Sequence, residues 1–589
     1  MTNSASVVPP TDRWDAEIDL LVVGAGAAGM TTALVAALEG LKVLVCEKSS
    51  QVGGTTATAA GTIWVPGSSQ SRRAGLADSP DAVRRYLDGE LAELASDPVA
   101  DRRRRAFLET GPEALDYLEA RSAVVFVAPA KHPDYHARPG AALAGRALIP
   151  PPFDGRTLGA DFALVRPPLP EFMVLGGMIV GKDDIPPLLA PFASLRALRH
   201  ALGLLLRHAG DCLRHARGTR LVMGNALVGR LLFSLRAQGV PIWLDSPVRA
   251  LVQDGGRVLG AVVASPYGGR RVRARIGVVL AGGGFAASAA WRARLLPQPT
   301  AAYTPAFDGA AGEGLALAEA LGAALDDDPA RGGLWTPVSV LRRADGSEAV
   351  YPHILLDRAK PGLIAINRAG RRFVNEADSY HDFVLGMYRA HAGVPTIPAH
   401  LVCDRRFIRR YGIGLIHPGT RRLRRFIDAG YLIAADTLAD LARRLGVDPA
   451  ALADTVAHHN RCAETGIDDA FGKGASELNR FNGDPLHQPN PCLGPIVEPP
   501  FFAVAVWPGV LATSAGLRTD EHGVVQDRAG AAIPGLYACG NDMASVMRGA
   551  YPGPGTTLGP ALVFGYRVAL HAAGKPVQAG RNAPTASSD

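Results

Sequence analysis

Cysteine is scarce and scattered in this 589-residue chain: Cys46, Cys212, Cys403, Cys462, Cys492 and Cys539 form no Cys-x-x-Cys pair and no Cys/His run at metal-ligand spacing. That argues against a disulfide framework and a zinc site, so no metal is expected, and it fits a reducing cytoplasm. Lysine is scarcer relative to its charge class, seven of 62 basic residues, so the net charge of +7 is carried by arginine. Aromatic residues make up 6% of the chain, and none interleaves with the densest basic run, Asp101-Arg102-Arg103-Arg104-Arg105. The run reads as a solvated helix face and not as a nucleic-acid surface. The start, MTNSASVVPPTDRWDAE, has neither a basic region nor an apolar core, so no signal peptide is expected. One uncharged run of membrane-span length exists, Leu20 to Leu38. Its glycine turn splits it into a strand and a helix, which is a soluble reading.

What is present is enough chain for two or more domains and a large buried cofactor. With 48% hydrophobic and 20% charged residues, the composition is that of a globular protein. From Ile18 the pattern runs strand (IDLLVV), glycine turn (GAGAAG), helix (MTTALVAALEG), strand (KVLVCE), the opening of a Rossmann-like α/β domain. Val240 to Ser265 alternates like antiparallel strands around Asp254-Gly255-Gly256. A buried strand then ends in glycines at VVLAGGGF, and a third strand-then-glycine block begins at Gly535, followed by a helix to about Leu570. The expected division is a discontinuous cofactor domain, 15–340 and 501–575, with an inserted α+β substrate domain at 341–500 and flexible tails at 1–14 and 576–589. Ile185 to Gly218 carries Leu and Ala at helical spacing with Arg and His between. It reads as a covering helix on the core, with contact to a membrane surface as the alternative.

The glycines carry the first chemistry. Gly24 to Gly29 match GxGxxG between strand and helix, and Glu47 follows 23 residues after Gly24. Such glycines admit a pyrophosphate to the helix N-terminus, and the acid accepts from ribose hydroxyls. Gly53-Gly54-Thr55-Thr56, with Thr58 and Gly61, adds bare amides and hydroxyls for phosphate and ribityl groups. The late GLYACGND block offers Gly540 and Asp542 to the far end of an extended cofactor. A nicotinamide protein has no use for that last element, so the set points to FAD. The candidate cofactor residues are Gly24, Ala25, Gly26, Ala28, Gly29, Glu47 and Lys48; Gly53, Gly54, Thr55, Thr56, Thr58 and Gly61; Val248, Ala281, Gly282 and Gly283; and Gly540, Asn541, Asp542, Thr557 and Leu558.

Directly after the late glycine turn comes Tyr551-Pro552-Gly553-Pro554-Gly555. Proline has no amide hydrogen, so this loop offers outward only the Tyr551 hydroxyl and the amides of Tyr551, Gly553 and Gly555. A sparse, stiff donor set of that kind suits a carbonyl oxygen.

With GGTTATAAGTIWVPG, GRRFVNEADSYHDF, GLYACGND and YPGPGTTLGP on the page, the chain resembles the fumarate-reductase and 3-ketosteroid Δ1-dehydrogenase superfamily of flavoproteins, over about 17–572, and most closely its ketosteroid branch. The resemblance implies a glutathione-reductase-type FAD domain and oxidation of C1–C2 of a 3-ketosteroid, with the C1 hydride accepted by FAD. It implies that Tyr551 and the Gly555 amide hold the C3 oxygen, that Tyr380 removes the C2 proton, and that Tyr135 assists it. It also implies a small apolar ketone as substrate and a quinone or soluble carrier as electron acceptor. TTLGP departs from the ATIGP common in that branch and leaves the substrate's shape open.

The rival is a fumarate-reductase-like enzyme, whose proton-donating arginine stands four residues after the Glu of an Asn-Glu pair. Here Asn375-Glu376 is followed at that distance by Tyr380. The His-Pro-Thr run of those enzymes is also missing, His353 following a proline instead. Lys48 to Pro66 contains no histidine, so FAD is expected to be non-covalent. A flavoprotein electron carrier without its own substrate would not need the Tyr551 loop, and oxidation of a non-steroidal cyclic ketone remains open beside a Δ4-type steroid reaction.

Overall fold

The computed structural model describes residues 6–10, 13–265, 268–354 and 357–577. Its larger sheet is organised by one long strand, Gly268–Leu280. Along one side that strand pairs parallel with Ala16–Val23, which pairs parallel with Val43–Cys46. Along the other side its first half pairs antiparallel with Arg257–Ser265, and its last residues, Val278 to Leu280, pair parallel with Leu536 to Ala538. Leu20, Leu21, Val22 and Val278 are fully buried, as strands covered on both faces require. The helix Ala27–Leu38 covers this sheet, and Leu558–Ala572 packs on it so closely that a Cβ at Gly565 would stand 2.9 Å from the Ala28 carbonyl oxygen. The membrane-length run is therefore a strand, a turn and a helix. No helix among the described residues is long and apolar enough to cross a membrane.

A second, six-stranded sheet orders Glu348–Pro352, Gly333–Arg342, Phe501–Thr513, Ala399–Asp404 and Leu363–Ile366, with Ile433–Ala435 also on Phe501–Thr513. A division at 341 and 501 cuts this sheet, because Gly333–Arg342 and Phe501–Thr513 pair with each other at its centre. The chain crosses between sheets before the first strand and after the second, so the inserted unit is wider than the helix-rich composition suggested.

Two expectations are corrected. The 1–14 tail is not without structure, since Ser6–Val8 adds a strand parallel to Ala250, Leu251 and Val252, using the open hydrogen-bonding edge of Val248–Asp254; residues 1–5, 11–12 and 578–589 lie outside the described residues. The arginine run is not wholly a solvated face either. It lies on the helix Pro98–Arg121, where Arg103 is 1% exposed and donates to the Ala544 carbonyl at 2.8 Å. Burial lowers its pKa to about 10, which still leaves it charged at neutral pH.

Candidate active site

The glycine turns meet because nothing larger fits. Gly24 has φ of 104°, and a Cβ there would lie 2.4 Å from the Ala281 carbonyl oxygen. Gly61 has φ of 72°, and its Cβ would lie 2.6 Å from the Gly224 amide. These turns open onto a cavity of about 800 Å³. Gly24, Ala25, Gly26, Ala28, Glu47 and Lys48 line one part of it, with Val248, Ala281, Gly282 and Gly283. Gly54, Thr55, Thr56, Thr58 and Gly61 line it further along, as do Gly540, Asn541, Thr557 and Leu558.

Three expected cofactor residues stand behind this wall. A Cβ on Gly29 would lie 2.0 Å from the Gly24 carbonyl oxygen, so Gly29 packs helix against turn. Gly53, at φ of 113°, packs against Ala57 and Val228. Asp542 is buried and accepts from the Gly282 and Gly284 amides at 2.7 and 2.8 Å, tying one glycine turn to the other, and burial pushes its pKa up. Asp542, expected to meet the cofactor, here braces the two glycine turns beside the cavity-lining Gly540 and Asn541.

Glu47 accepts from the Ala25 amide and from the Ser49 amide and hydroxyl, each at 2.9 Å, which fixes its carboxylate at the cavity wall. Lys48 is paired with Glu313. Phe307, not foreseen, also lines the cavity. Its amide donates to Thr55 Oγ1 at 3.1 Å, and the Arg166 guanidinium lies 3.6 Å from its ring centroid. The signal for it is faint, a phenylalanine before the glycines of FDGAAGEG with no strand ahead of them.

Tyrosines from three separate segments converge at the same cavity. Tyr135 Oη donates to Tyr380 Oη at 2.9 Å, and Tyr380 Oη donates to Tyr551 Oη at 3.0 Å. All three are buried, and burial pushes each phenol well above its ordinary value. Tyr380 is the first residue of the helix Tyr380–His391, capped by Ser379, whose hydroxyl accepts from the Asp382 amide. The positive end of that helix favours a phenolate, and the buried Arg358 acts in the same direction. Tyr135 is held to the Tyr551 loop by its amide, which donates to the Pro552 carbonyl at 2.9 Å; the Tyr86 hydroxyl donates to the same oxygen.

Gly555 lines the cavity, and its carbonyl accepts from the amides of Trp64 and Gly559. At φ of 94°, with a Cβ that would lie 2.4 Å from the Ile63 carbonyl carbon, it tolerates no side chain. Next to Tyr135, His136 bridges Glu90 at 2.7 Å and Asp382 at 2.8 Å. His353 pairs with Asp357 and Ser339, and Ser339 with Tyr431. All four of these residues are buried, and Asp357 also lines the cavity.

The residues fit a long flavin dinucleotide. The cavity has a fixed carboxylate, a helix N-terminus and the glycines Gly26, Gly54 and Gly283, where a Cβ would meet nothing closer than 3.9 Å, all on its wall. Residues 19–558 match the FAD binding domain family. The chain is 41% identical over 555 residues to a 4-oxocyclohex-2-ene-1-carboxylate 5-dehydrogenase of Sinomonas cyclohexanicum, covering 93% of this chain and 92% of that one. It is 37% identical over 577 residues to a 3-oxosteroid 1-dehydrogenase of Mycobacterium tuberculosis, covering 95% and 98%. The crystal structure of a 3-ketosteroid Δ1-dehydrogenase from Sterolibacterium denitrificans superposes with a TM-score of 0.88 at 34% identity, over 95% of this chain and 99% of that one. The chain belongs to the FAD binding domain family and is an FAD oxidoreductase acting on the CH–CH group of oxo compounds, similar both to 3-oxosteroid 1-dehydrogenases and to an oxocyclohexene carboxylate dehydrogenase.

Proposed function

We propose that this protein dehydrogenates the CH–CH bond beside the ketone of a cyclic substrate, and that the substrate is a 3-ketosteroid oxidised at C1–C2. The observation that carries the reading is the Tyr135–Tyr380–Tyr551 hydroxyl chain, lying beside Gly555 on the cavity that the glycine turns line. Tyr551 Oη and the Gly555 amide are the two donors to the ketone oxygen, with Tyr380 Oη 3.0 Å from Tyr551 Oη. Two rigid donors in a dry site stabilise the enolate that forms when C2 loses its proton. Tyr380 Oη takes that proton, assisted by the helix N-terminus, by Arg358 and by the Tyr135 hydroxyl donating to it.

The cavity-lining glycines, Glu47, Lys48 and the Thr55 to Thr58 segment would hold FAD; its binding is non-covalent, a reading supported by the lack of histidine and cysteine in 48–66. Bound FAD supplies the acceptor for the C1 hydride.

Two of the four lysine and arginine side chains that line the cavity favour a neutral steroid over a cyclic keto acid. Lys360 donates to the Asn482 and Gly483 carbonyls, each at 2.8 Å, and Arg410 pairs with Asp484. Both are already engaged, so a substrate carboxylate would have to break existing pairs to reach them. Ile354 and Leu511 pack against the tyrosine cluster and give the ring an apolar wall. The 41% identity to an enzyme named for an oxocyclohexene carboxylate supports the second reading, a smaller ring.

The setting proposed is a reducing cytoplasm, supported by six free thiols. Peripheral contact with lipid is supported by the helix Leu195–Cys212, whose outward face is apolar and arginine-flanked. A quinone or soluble carrier is the acceptor that fits that setting.

Anaerobic flavin bleaching tests the reading. The expected order is 3-keto-4-ene steroids fastest, with oxocyclohexane carboxylates far slower and no oxidation of reduced enzyme by fumarate. Bleaching by the carboxylates alone would hand the site to the smaller ring. Tyr551→Phe should slow bleaching by about 10²–10³ while retaining flavin, as loss of one oxyanion donor does.

A further inference from the structure

We propose that His458, Cys462 and Asp469 form a binding site for a thiophilic divalent cation of the Zn²⁺ class. His458 and Cys462 are four residues apart on the helix Pro449–Thr465, and so share a face near its C-terminus, a His/Cys ligand spacing that departs from the sequence-based expectation of no metal. Gly466, in the left-handed region at φ of 75°, ends the helix and turns the chain back, which returns Asp469 to that face.

The three donor atoms converge. Cys462 Sγ lies 3.6 Å from His458 Nε2 and 3.6 Å from Asp469 Oδ1, and His458 Nε2 lies 2.9 Å from Asp469 Oδ1. Tetrahedral Zn²⁺, bonded at about 2.0 Å to nitrogen and oxygen and about 2.3 Å to sulfur, needs donor–donor edges of about 3.3–3.6 Å. Two of the three edges have that length already. The third opens by a few tenths of an ångström when the His458–Asp469 hydrogen bond is exchanged for two metal bonds.

The charges agree. A thiolate and a carboxylate neutralise the cation, imidazole is neutral, and the thiol proton leaves to solvent on binding. The negative end of the helix adds to the attraction. Cys462 is buried while His458 and Asp469 reach solvent, which leaves an open fourth position for water. Neighbouring Asp468 is committed elsewhere, to Arg372 at 2.9 Å, so the set of side-chain ligands is these three. Bound metal would pin the segment after the helix, which carries Asp468 and the buried Lys473, to the helix itself.

The test uses tag-free holoenzyme treated with a chelator and titrated with Co²⁺, read as thiolate charge-transfer absorption and as tetrahedral d–d bands at wavelengths beyond the flavin. Wild type should develop both, and Zn²⁺ should bleach them by displacement. Cys462→Ser should lose the thiolate band and His458→Gln the tetrahedral spectrum, each with its flavin content intact. Cys212→Ser should leave the spectrum unchanged, although it removes the other Cys/His pair, Cys212 with His208. A wild type without a thiolate band, a weak octahedral spectrum, or a Cys462→Ser protein that keeps the band would each overturn the site.

Discussion

Tyr380 carries the chemical difficulty of the proposed reaction. A phenol titrates near ~10 in water, and burial pushes this one higher, while the buried Arg358 pulls the other way. Turnover needs the phenolate to receive the C2 proton, so only the small deprotonated fraction is active at neutral pH. Because the pKa is raised, that fraction grows with every step in pH up to and past the ordinary phenol range. The expected profile of kcat/KM therefore climbs on the alkaline side without levelling below about pH 10. Tyr380→Phe should lower kcat by about 10²–10⁴, the usual worth of a positioned base, and should flatten the climb. A residual rate that keeps the same slope would assign the base to another group.

At the scale of elements, the helix Leu195–Cys212 is the one whose outward face is least explained by packing. Ala201, Leu204 and His208 turn inward, yet Leu195, Leu202 and Leu206 are 81%, 50% and 64% exposed along one stripe that continues to Leu213. Phe192, just before the helix, is 86% exposed. Arg196, Arg199 and Arg214 are exposed around the stripe, while the helix's one acid, Asp211, is buried and accepts from the Thr219 amide and hydroxyl. An apolar stripe flanked by cations alone suits an anionic lipid surface. The adjacent Ile185, Pro186 and Leu188 line the cavity, which would put its mouth beside the bilayer. Leu202→Asp with Leu206→Asp should abolish co-sedimentation with vesicles containing anionic lipid and spare the bleaching rate with a detergent-solubilised steroid; unchanged sedimentation would leave the stripe without a lipid role. The helix itself was legible in the sequence because leucine recurs at helical spacing. Which face stays bare was not, because that depends on which other segments arrive to cover it. The same distinction runs through the site. GAGAAG and YPGPG announce themselves through glycine and proline, whose backbone demands are local. Phe307 and the bracing role of Asp542 depend on partners more than 250 residues away.

At the scale of the whole molecule, the tyrosine chain exists only because three distant stretches are fastened together, and no local pattern reports such fastening. Val278 to Leu280 pair with Leu536 to Ala538, and Tyr135 meets Tyr380 across 245 residues. His136 is one fastener whose strength depends on pH. It joins Glu90 on the helix Pro80–Leu91 to Asp382 on the helix Tyr380–His391, beside both Tyr135 and Tyr380. Burial alone would lower its pKa, but hydrogen bonds to Asp382 and Glu90 outweigh that and raise it from 6.5 to about 10, while Asp382 is lowered to about 2. A histidine whose pKa is raised on folding stabilises fully below its unfolded value and loses that contribution as pH climbs to the folded one. The His136 contribution is thus complete below about pH 6.5, shrinks across the interval to about 10, and is gone above it. The Asp382 contribution runs the other way, being present above its unfolded value and lost as pH falls toward about 2. Between those limits, His136→Gln should lower Tm by several degrees at about pH 6 and hardly at all at about pH 10, measured as the difference from wild type in each buffer. The same variant should slow turnover at about pH 6 through misplaced tyrosines while keeping its flavin. A Tm difference that stays constant or widens toward high pH would show that His136 is neutral in the folded protein and that the two tyrosine segments are held together by other contacts.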